Sequence, residues 1–149
     1  MNFHVIKAAN QDLLDSAFLL REVIFINKAK WQDEYDPHSI HFLALHGKHS
    51  APVGVVRLIQ NSEVGLPVQE HFGLYINELS GEVSRWGLLP EYRGQRANIA
   101  RKLLLACREE AKALGLTDLY YIRAKKMAHR IGGPTLIDGI RRYAYHYRL

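Results

Sequence analysis

The chain has 149 residues, of which 48% are hydrophobic and 23% charged, which is typical of a globular protein and excludes a disordered one. Its net charge is +5, and its single cysteine, Cys107, excludes an internal disulfide. No apolar run approaches the roughly 20 residues that span a bilayer, and the polar N-terminus lacks the apolar core of a signal peptide. We therefore expect one domain over residues 1–149, located in the cytoplasm.

Three elements are predicted at the start of the chain. "FHVIKAA" alternates weakly and predicts a first strand. Asn10 or Asp12 is placed to cap a helix over residues 13–28, whose apolar residues keep helical spacing. "WQDEYDPHS" is then a loop, because Pro37 disfavours helix at the preceding Asp36.

The middle of the chain predicts a hairpin and a less regular segment. "IHFLALHG" and "APVGVVRLIQ" are rich in branched and apolar residues, which favours two strands joined around "HGKHS". Residues 61–81 read as a loop with a short helix at "LPVQEHFG". The histidines of this region have spacings that metal sites use, but they come without a cysteine and extend over a loop and a hairpin, so we expect no metal. They are His38, His41, His46 and His49.

The second half predicts a strand, turn and helix followed by further strands. "EVSRWGLL" is a strand, and a helix over residues 98–114 is closed by Gly115. "TDLYYIRA" is a strand, "KKMAHRIG" a short helix, and "RRYAYHYRL" a final aromatic strand that would offer an edge to a homodimer. The order of elements predicts a mixed α+β fold.

Positive charge is concentrated in this second half. Residues 1–92 contain 7 basic and 11 acidic residues, whereas residues 93–149 contain 13 and 4. Such a division indicates either nucleic acid or a phosphorylated ligand. The sequence lacks helix-turn-helix, zinc-finger and aromatic RNA-binding motifs, which favours a compact ligand that carries phosphate.

The turn "LLPEYRGQ" before the long helix is a candidate phosphate site. A helix N-terminus exposes amides and the positive end of the helix dipole, both of which attract phosphate. Arg93 and Arg96 precede the helix, and Gly94 allows the backbone to approach a ligand closely. A solvated basic turn before a surface helix explains the same composition, so composition alone leaves both interpretations open.

This turn and the following helix resemble the strand-to-helix motif of the GCN5-related N-acetyltransferase (GNAT) superfamily. The resemblance extends from "LLREVIFINKAKW" through "APVGVVRLI" to "KKMAHRIGG", which is similar to the last helix of that superfamily. It implies a central mixed, mostly antiparallel β-sheet flanked by helices, whose splayed central strands receive acetyl-CoA or a longer acyl-CoA. Asn98 stands where the motif has its first glycine. The residues that this resemblance assigns to the cofactor are Leu88, Leu89, Arg93, Gly94, Gln95, Arg96, Ala97, Asn98 and Ala100.

A second set of residues resembles a subgroup of that superfamily, the acyl-homoserine-lactone (autoinducer) synthases, and also the N-acyl amino acid synthases. The autoinducer synthases commonly take the acyl chain from acyl carrier protein, so that protein is a further expected donor, and the acceptor is a small-molecule amine. Phe25 and Trp31 could equally be core residues at a helix end, and buried arginines with carboxylates could instead organise the fold. The residues that carry this resemblance, besides Glu82 and Ser84, are Arg21, Phe25, Trp31, Asp33, Asp36, Arg57 and Arg85.

The implied chemistry is acyl transfer from a thioester to an amine. Glu82 is the candidate general base, because a carboxylate in a desolvated cleft can have a raised pKa. The amides of Leu88 and Leu89 would hold the thioester carbonyl. His129, at the place of a tyrosine that protonates the thiolate in many relatives, and Tyr121 are the candidate acids, although His129 could also be a surface residue. A nucleic-acid or partner-binding module is the alternative class of function.

Overall fold

The computed structural model describes residues 2–25, 32–47 and 51–149. Within these ranges it contains seven strands and three α-helices. The helices are α1 (Gln11–Ile24), α2 (Pro67–Phe72) and α3 (Arg96–Ala113). The strands are β1 (Phe3–Lys7), β2 (Ser39–His46), β3 (Pro52–Gln60), β4 (Ser80–Leu88), β5 (Asp118–Arg123), β6 (Gly132–Ile137) and β7 (Ile140–Arg148).

All seven strands form one sheet in the order β1-β2-β3-β4-β5-β7-β6. Every neighbouring pair is antiparallel except β4 and β5, which are parallel. The α+β prediction with a mixed, mostly antiparallel sheet is therefore confirmed. Among the described residues, no helix combines the length and apolar character needed to cross a bilayer.

Helices cover both faces of the sheet. Side chains along a strand alternate between faces, so the apolar residues of the central strands need a covering layer on each face. Val56, Leu58 and Val83 point to the face that α3 covers. Val55 points to α1 on the opposite face, and Ile59 points to the part of that face that α2 covers. The two faces therefore offer separate environments on either side of the central strands.

The start of α1 agrees with the sequence. The Asn10 side chain accepts a hydrogen bond of 2.9 Å from the Leu13 amide, which satisfies a donor that the helix leaves unpaired. The helix ends at Ile24 and Phe25 closes it, so it does not include Phe25 as predicted. The last residues of the predicted helix, 26–28, lie outside the described residues.

The long helix α3 begins at Arg96, two residues before the predicted start, directly after a 3₁₀ turn over Pro90–Gln95. Its buried side consists of fully enclosed side chains, including Cys107. Burial raises the pKa of the Cys107 thiol above its ordinary value, which leaves it an apolar core residue. The buried residues of α3 are Ile99, Leu103, Cys107 and Ala111.

The prediction of a helix at "KKMAHRIG" is wrong, because residues 124–131 form turns. The Tyr145 hydroxyl accepts a hydrogen bond from the Met127 amide (2.8 Å) and donates one to the Lys125 carbonyl (2.6 Å). These tertiary bonds occupy backbone groups that a helix would pair internally. The sequence analysis also missed β6. Because β6 forms the outer strand, β7 lies between two partners, and its predicted position at the sheet edge is wrong.

Candidate active site

The parallel strands β4 and β5 separate at the centre of the sheet. Residues 80–83 pair with residues 118–121, and beyond these positions the two strands no longer pair. A bulge in β4 accompanies the separation: its register against β3 shifts between Val55 and Arg57, and Arg85 has a φ of 49°. Bulges bend a strand and increase its twist. A gap therefore opens between β4 and β5 on the side where the chain enters α3.

Only one of the two predicted amides faces this gap. The Leu89 amide donates to the Val53 carbonyl at 2.9 Å, so it is already used towards β3. Because successive amides of a strand point to opposite edges, the Leu88 amide points towards β5. The hydrogen bonding therefore contradicts the prediction for the Leu89 amide and leaves Leu88 as the candidate contact for a thioester carbonyl.

The start of α3 presents the predicted cofactor residues to solvent beside the gap. Arg93, Gly94, Arg96, Ala97 and Asn98 are exposed. The space beside Gly94 is open: apart from its two neighbours in the chain, no described residue has an atom within 4 Å of a Cβ placed there. Gln95 and Ala100 are half-buried. The Gln95 side chain makes no capping hydrogen bond, so it leaves the first amides of α3 unpaired. These amides form the positive end of the helix, and the exposed Arg93 and Arg96 adjoin it.

On the opposite face of the sheet, Arg57 is at the centre of a buried ionic network. Its Nη1 lies 2.6 Å from Asp33 Oδ1 and 3.0 Å from Asp36 Oδ1, and its Nε donates to Ser84 Oγ at 2.9 Å. The Arg57 side chain is 1% exposed. A guanidinium buried to this extent requires such compensation.

Two further arginines complete this network. Arg21 donates to both oxygens of Asp36, at 2.7 and 3.3 Å, and Arg85 donates to Asp33 Oδ2 at 3.0 Å. The Asp33 backbone amide donates to Asp36 Oδ2 at 2.9 Å, which ties the Asp36 carboxylate to the backbone of Asp33. Burial alone would raise the pKa of Asp36, but the bonds from Arg21 and Asp33 and the Arg57 charge lower it below its ordinary value.

The network joins the five charged residues that were predicted from separate parts of the sequence. Arg21 is entirely enclosed, whereas the Arg85 side chain is 25% exposed. The sequence analysis missed His41, which is buried 3.8 Å from Asp36 with its ring against Phe18. Burial lowers the pKa of His41 to about 4, so it is neutral near pH 7. Its place at the start of the continuous apolar run of β2, whose residues 41–44 are all buried, is the signal that could have identified it.

Glu82 lies beside the network on the same face and is 1% exposed. Its Oε1 accepts a hydrogen bond of 2.9 Å from the Val68 amide of α2. Burial raises the pKa of Glu82 to about 8, against the opposing effects of the Val68 bond and the Arg57 charge. The carboxyl group can therefore take up and release a proton near neutral pH.

The two aromatic residues predicted to contact substrate have different outcomes. Phe25 is half-buried against β4, where a Cβ placed on Gly87 would lie 3.0 Å from its ring and 2.6 Å from Ile24 Cγ2. Phe25 therefore packs at the end of α1 directly over the strand that borders the gap. Trp31 lies outside the described residues.

The candidate acids lie on the α3 face, away from Glu82. Tyr121 is 8% exposed, and its hydroxyl donates no hydrogen bond to an acceptor among the described residues. The His129 ring lies 5.0 Å from that of Tyr145 and belongs to a turn, not to the predicted helix. Tyr121 and His129 line the same cavity. Tyr120 points to the opposite face and stacks on His146.

Two central parallel strands that separate beside a basic helix N-terminus define an acyltransferase fold of the GNAT type. A sequence model of the Acetyltransferase (GNAT) family matches residues 8–132, and the chain belongs to this family. Proteins of this family use an acyl-CoA cosubstrate and act on amines, so the chain is an N-acyltransferase.

Solved structures share the whole fold. A candidate N-acetyltransferase from Lactobacillus plantarum has a TM-score of 0.73 and 19% identity, and the match covers 100% of this chain and 99% of that one. BjaI, a CoA-dependent acyl-homoserine lactone synthase, has a TM-score of 0.69 and 23% identity over 98% and 82%. FeeM, an N-acyl amino acid synthase from uncultured soil microbes, has a TM-score of 0.68 and 15% identity over 99% and 90%. No curated protein matches the sequence.

Proposed function

We propose that residues 1–149 form one acyltransferase domain that moves an acyl group from a CoA thioester to the amine of a small molecule. The observation that carries this proposal is the separation of β4 and β5 beside the exposed, basic start of α3. The Leu88 amide points into this gap. Glu82, whose carboxyl group titrates near neutrality, lies on the face of the sheet opposite α3.

The proposed binding follows from charge and hydrogen bonding. Arg93, Arg96 and the first amides of α3 hold the pyrophosphate, because they combine fixed positive charge with a helix N-terminus. The Leu88 amide donates to the thioester carbonyl and stabilises the negative charge that develops on its oxygen. The pantetheine arm then occupies the gap between β4 and β5.

In the transfer step, the amine nitrogen attacks the thioester carbonyl carbon, a C–N bond forms, and the C–S bond breaks. Glu82 accepts the proton that the amine loses, through a water molecule because its carboxyl group is buried. Tyr121 or His129 supplies a proton to the departing thiolate. The buried network braces the loop that carries Asp33 and Asp36 against β3 and β4.

A more specific function within this class resembles that of the autoinducer synthases or the N-acyl amino acid synthases. The observation that favours it is that the charged residues behind this resemblance contact one another in one network. In this version the donor is a longer acyl-CoA or acyl carrier protein. An ordinary small-molecule N-acetyltransferase that uses acetyl-CoA is the simpler alternative.

The test is a thiol-release assay with acetyl-CoA, hexanoyl-CoA and hexanoyl acyl carrier protein against a panel of amines. We expect turnover with at least one donor, and the preferred donor distinguishes the two versions. No turnover with any donor, together with salt-sensitive binding to RNA or DNA, would favour the nucleic-acid-binding alternative instead.

A further inference from the structure

A cavity of about 200 Å³ lies on the α3 face of the sheet, beneath the gap between β4 and β5. It is larger than the roughly 150 Å³ that accommodates a benzene molecule, and so much larger than a methyl group requires. Most of its walls are aromatic. The side chains that matter here are Trp86, Arg108, Tyr121, Arg123, Tyr145 and Tyr147.

Two buried hydrogen-bond donors of this lining lack partners. Tyr121 Oη and Arg108 Nε are both shielded from solvent, and neither donates a hydrogen bond to an acceptor among the described residues. The Arg108 guanidinium faces the Tyr121 hydroxyl, where its hydrogen bonding and its charge oppose the increase in pKa that burial causes. Unsatisfied buried donors are costly, so the pair is suited to a ligand that supplies an acceptor to both.

The lining is also positively charged without compensation. The Arg108 guanidinium lies 3.9 Å from the centre of the Tyr147 ring, and that of Arg123 lies 5.4 Å from the Trp86 ring. Neither arginine forms an ion pair within the described part of the chain, and no lining residue is Asp or Glu. The cavity therefore favours an anionic acceptor.

The position of the cavity assigns it to the acyl donor. Trp86 and Arg123 lie beyond the last paired positions of β4 and β5, and Tyr121 is at the point where the strands separate. Arg108 lies about 18 Å along α3 from Arg96, at 1.5 Å per residue. This distance is comparable with the reach of an extended pantetheine arm. An acyl group attached to that arm would enter the cavity from the gap.

We propose that the cavity binds the distal carboxylate of a short dicarboxylic acyl group, so that the preferred donor is a thioester of the succinyl or glutaryl type. This inference rests on the proposed function. Arg108 and Tyr121 both donate to the carboxylate, and the aromatic walls enclose the methylene carbons. Because the Tyr121 hydroxyl then binds the carboxylate, His129 of the same lining supplies the proton to the departing thiolate. The C–N bond forms at the thioester carbon, the C–S bond breaks, Glu82 takes the amine proton, and the product amide keeps a free carboxylate.

The test compares succinyl-CoA with 4-methylpentanoyl-CoA, which has the same shape but no charge. Calorimetry on the wild-type protein should give a dissociation constant for succinyl-CoA that is lower by about ten-fold or more, as expected for charge-assisted hydrogen bonds. Arg108→Gln should reduce this ratio to nearly one. Tyr121→Phe, which removes only a hydroxyl, should reduce it partially. Lys112→Gln, an equal change of charge on the exposed side of α3, should retain it.

Equal binding of the two thioesters by the wild-type protein, or a preference that persists in Arg108→Gln, would overturn the inference. The inference would also be overturned if the enzyme recognises a carboxylate on the amine and not on the acyl group. This outcome would be measured as faster turnover of glycine than of ethylamine with acetyl-CoA. If acetyl-CoA binds and reacts but succinyl-CoA has no advantage, only this inference fails. If no acyl-CoA binds, the proposed function fails with it.

Discussion

At the scale of single residues, Glu82 combines full burial with a proposed function that requires its ionised form. Its environment contains one amide donor and one neighbouring cation, which offset only part of the cost of burying a carboxylate. The raised pKa places its titration at the pH where an amine acceptor also begins to lose its proton. A carboxyl group with this pKa is suited to repeated proton transfer.

We predict that kcat/KM increases with pH up to about 8, because only ionised Glu82 accepts a proton. Glu82→Gln retains an oxygen for the Val68 amide but cannot act as a base. It should lower turnover by about 10²- to 10⁴-fold and leave acyl-CoA binding nearly unchanged. Steady-state kinetics from pH 5 to 9 measure both effects, and wild-type turnover by the variant would place the base elsewhere.

The same carboxyl group predicts a change in stability with pH. Its pKa in the folded protein, about 8, exceeds the ordinary value of 4.5. Its contribution is therefore complete below pH 4.5 and is lost as the pH increases through 8. Urea denaturation should show that Glu82→Gln lacks this part of the loss between pH 5 and 9. A parallel decline in both proteins would contradict the burial of an ionisable Glu82.

At the scale of elements, the Arg–Asp network attaches the segment before β2 to α1, β3 and β4. Asp36 accepts from Arg21 and Arg57 at one oxygen and from Arg21 and the Asp33 amide at the other. An asparagine at this position could accept at only one end, and its NH₂ group would face another donor. Arg21 and Arg57, whose side chains are 0% and 1% exposed, would both lose part of their compensation.

Asp36→Asn should therefore lower the free energy of unfolding by about 3–5 kcal/mol, as expected for breaking a buried ion pair. Glu109→Gln is the matched control, because its pair with Lys112 is 3.8 Å long and largely exposed. Its effect should be below about 1 kcal/mol. Urea unfolding measures both, and an equal effect of the two substitutions would mean that the network contributes no more than a surface pair.

Element prediction succeeded where local pattern and tertiary structure agree. The strand around "APVGVVRLIQ" follows from a run of branched and apolar residues that is buried almost throughout, and the helix α3 follows from apolar residues at helical spacing that form its buried side. It was wrong at residues 124–131, where bonds to Tyr145 decide the backbone. Tyr145 follows that segment by about 20 residues, so its effect cannot be read from local propensity.

At the scale of the whole molecule, the sequence indicated which charged residues matter but not how they divide between the two faces. The resemblance carried Arg21, Asp33, Asp36, Arg57 and Arg85, and the structure joins them in one network. The cavity on the other face could not be predicted. Its walls come from β4, α3, β5, β7 and the turns before β6, and only the packed sheet brings these elements together.

The uneven charge of the molecule supplies the last prediction. Residues 93–149 contain 13 of the 20 basic residues, but only Arg93 and Arg96 adjoin the N-terminus of α3. Replacing both with alanine should weaken acetyl-CoA binding by about ten-fold, given roughly 0.3–1 kcal/mol for each exposed charge at a helix terminus. The dependence of binding on salt should also become shallower.

Arg141→Ala with Arg148→Ala, an equal loss of exposed charge on β7, should change neither the affinity for acetyl-CoA nor its dependence on salt. A nucleic-acid-binding module predicts the reverse, because the arginines of β7 lie on the strand that carries the exposed Tyr147, on which a base would stack. Calorimetric titrations with acetyl-CoA and with single-stranded DNA at several salt concentrations therefore decide which end of the charged half binds phosphate.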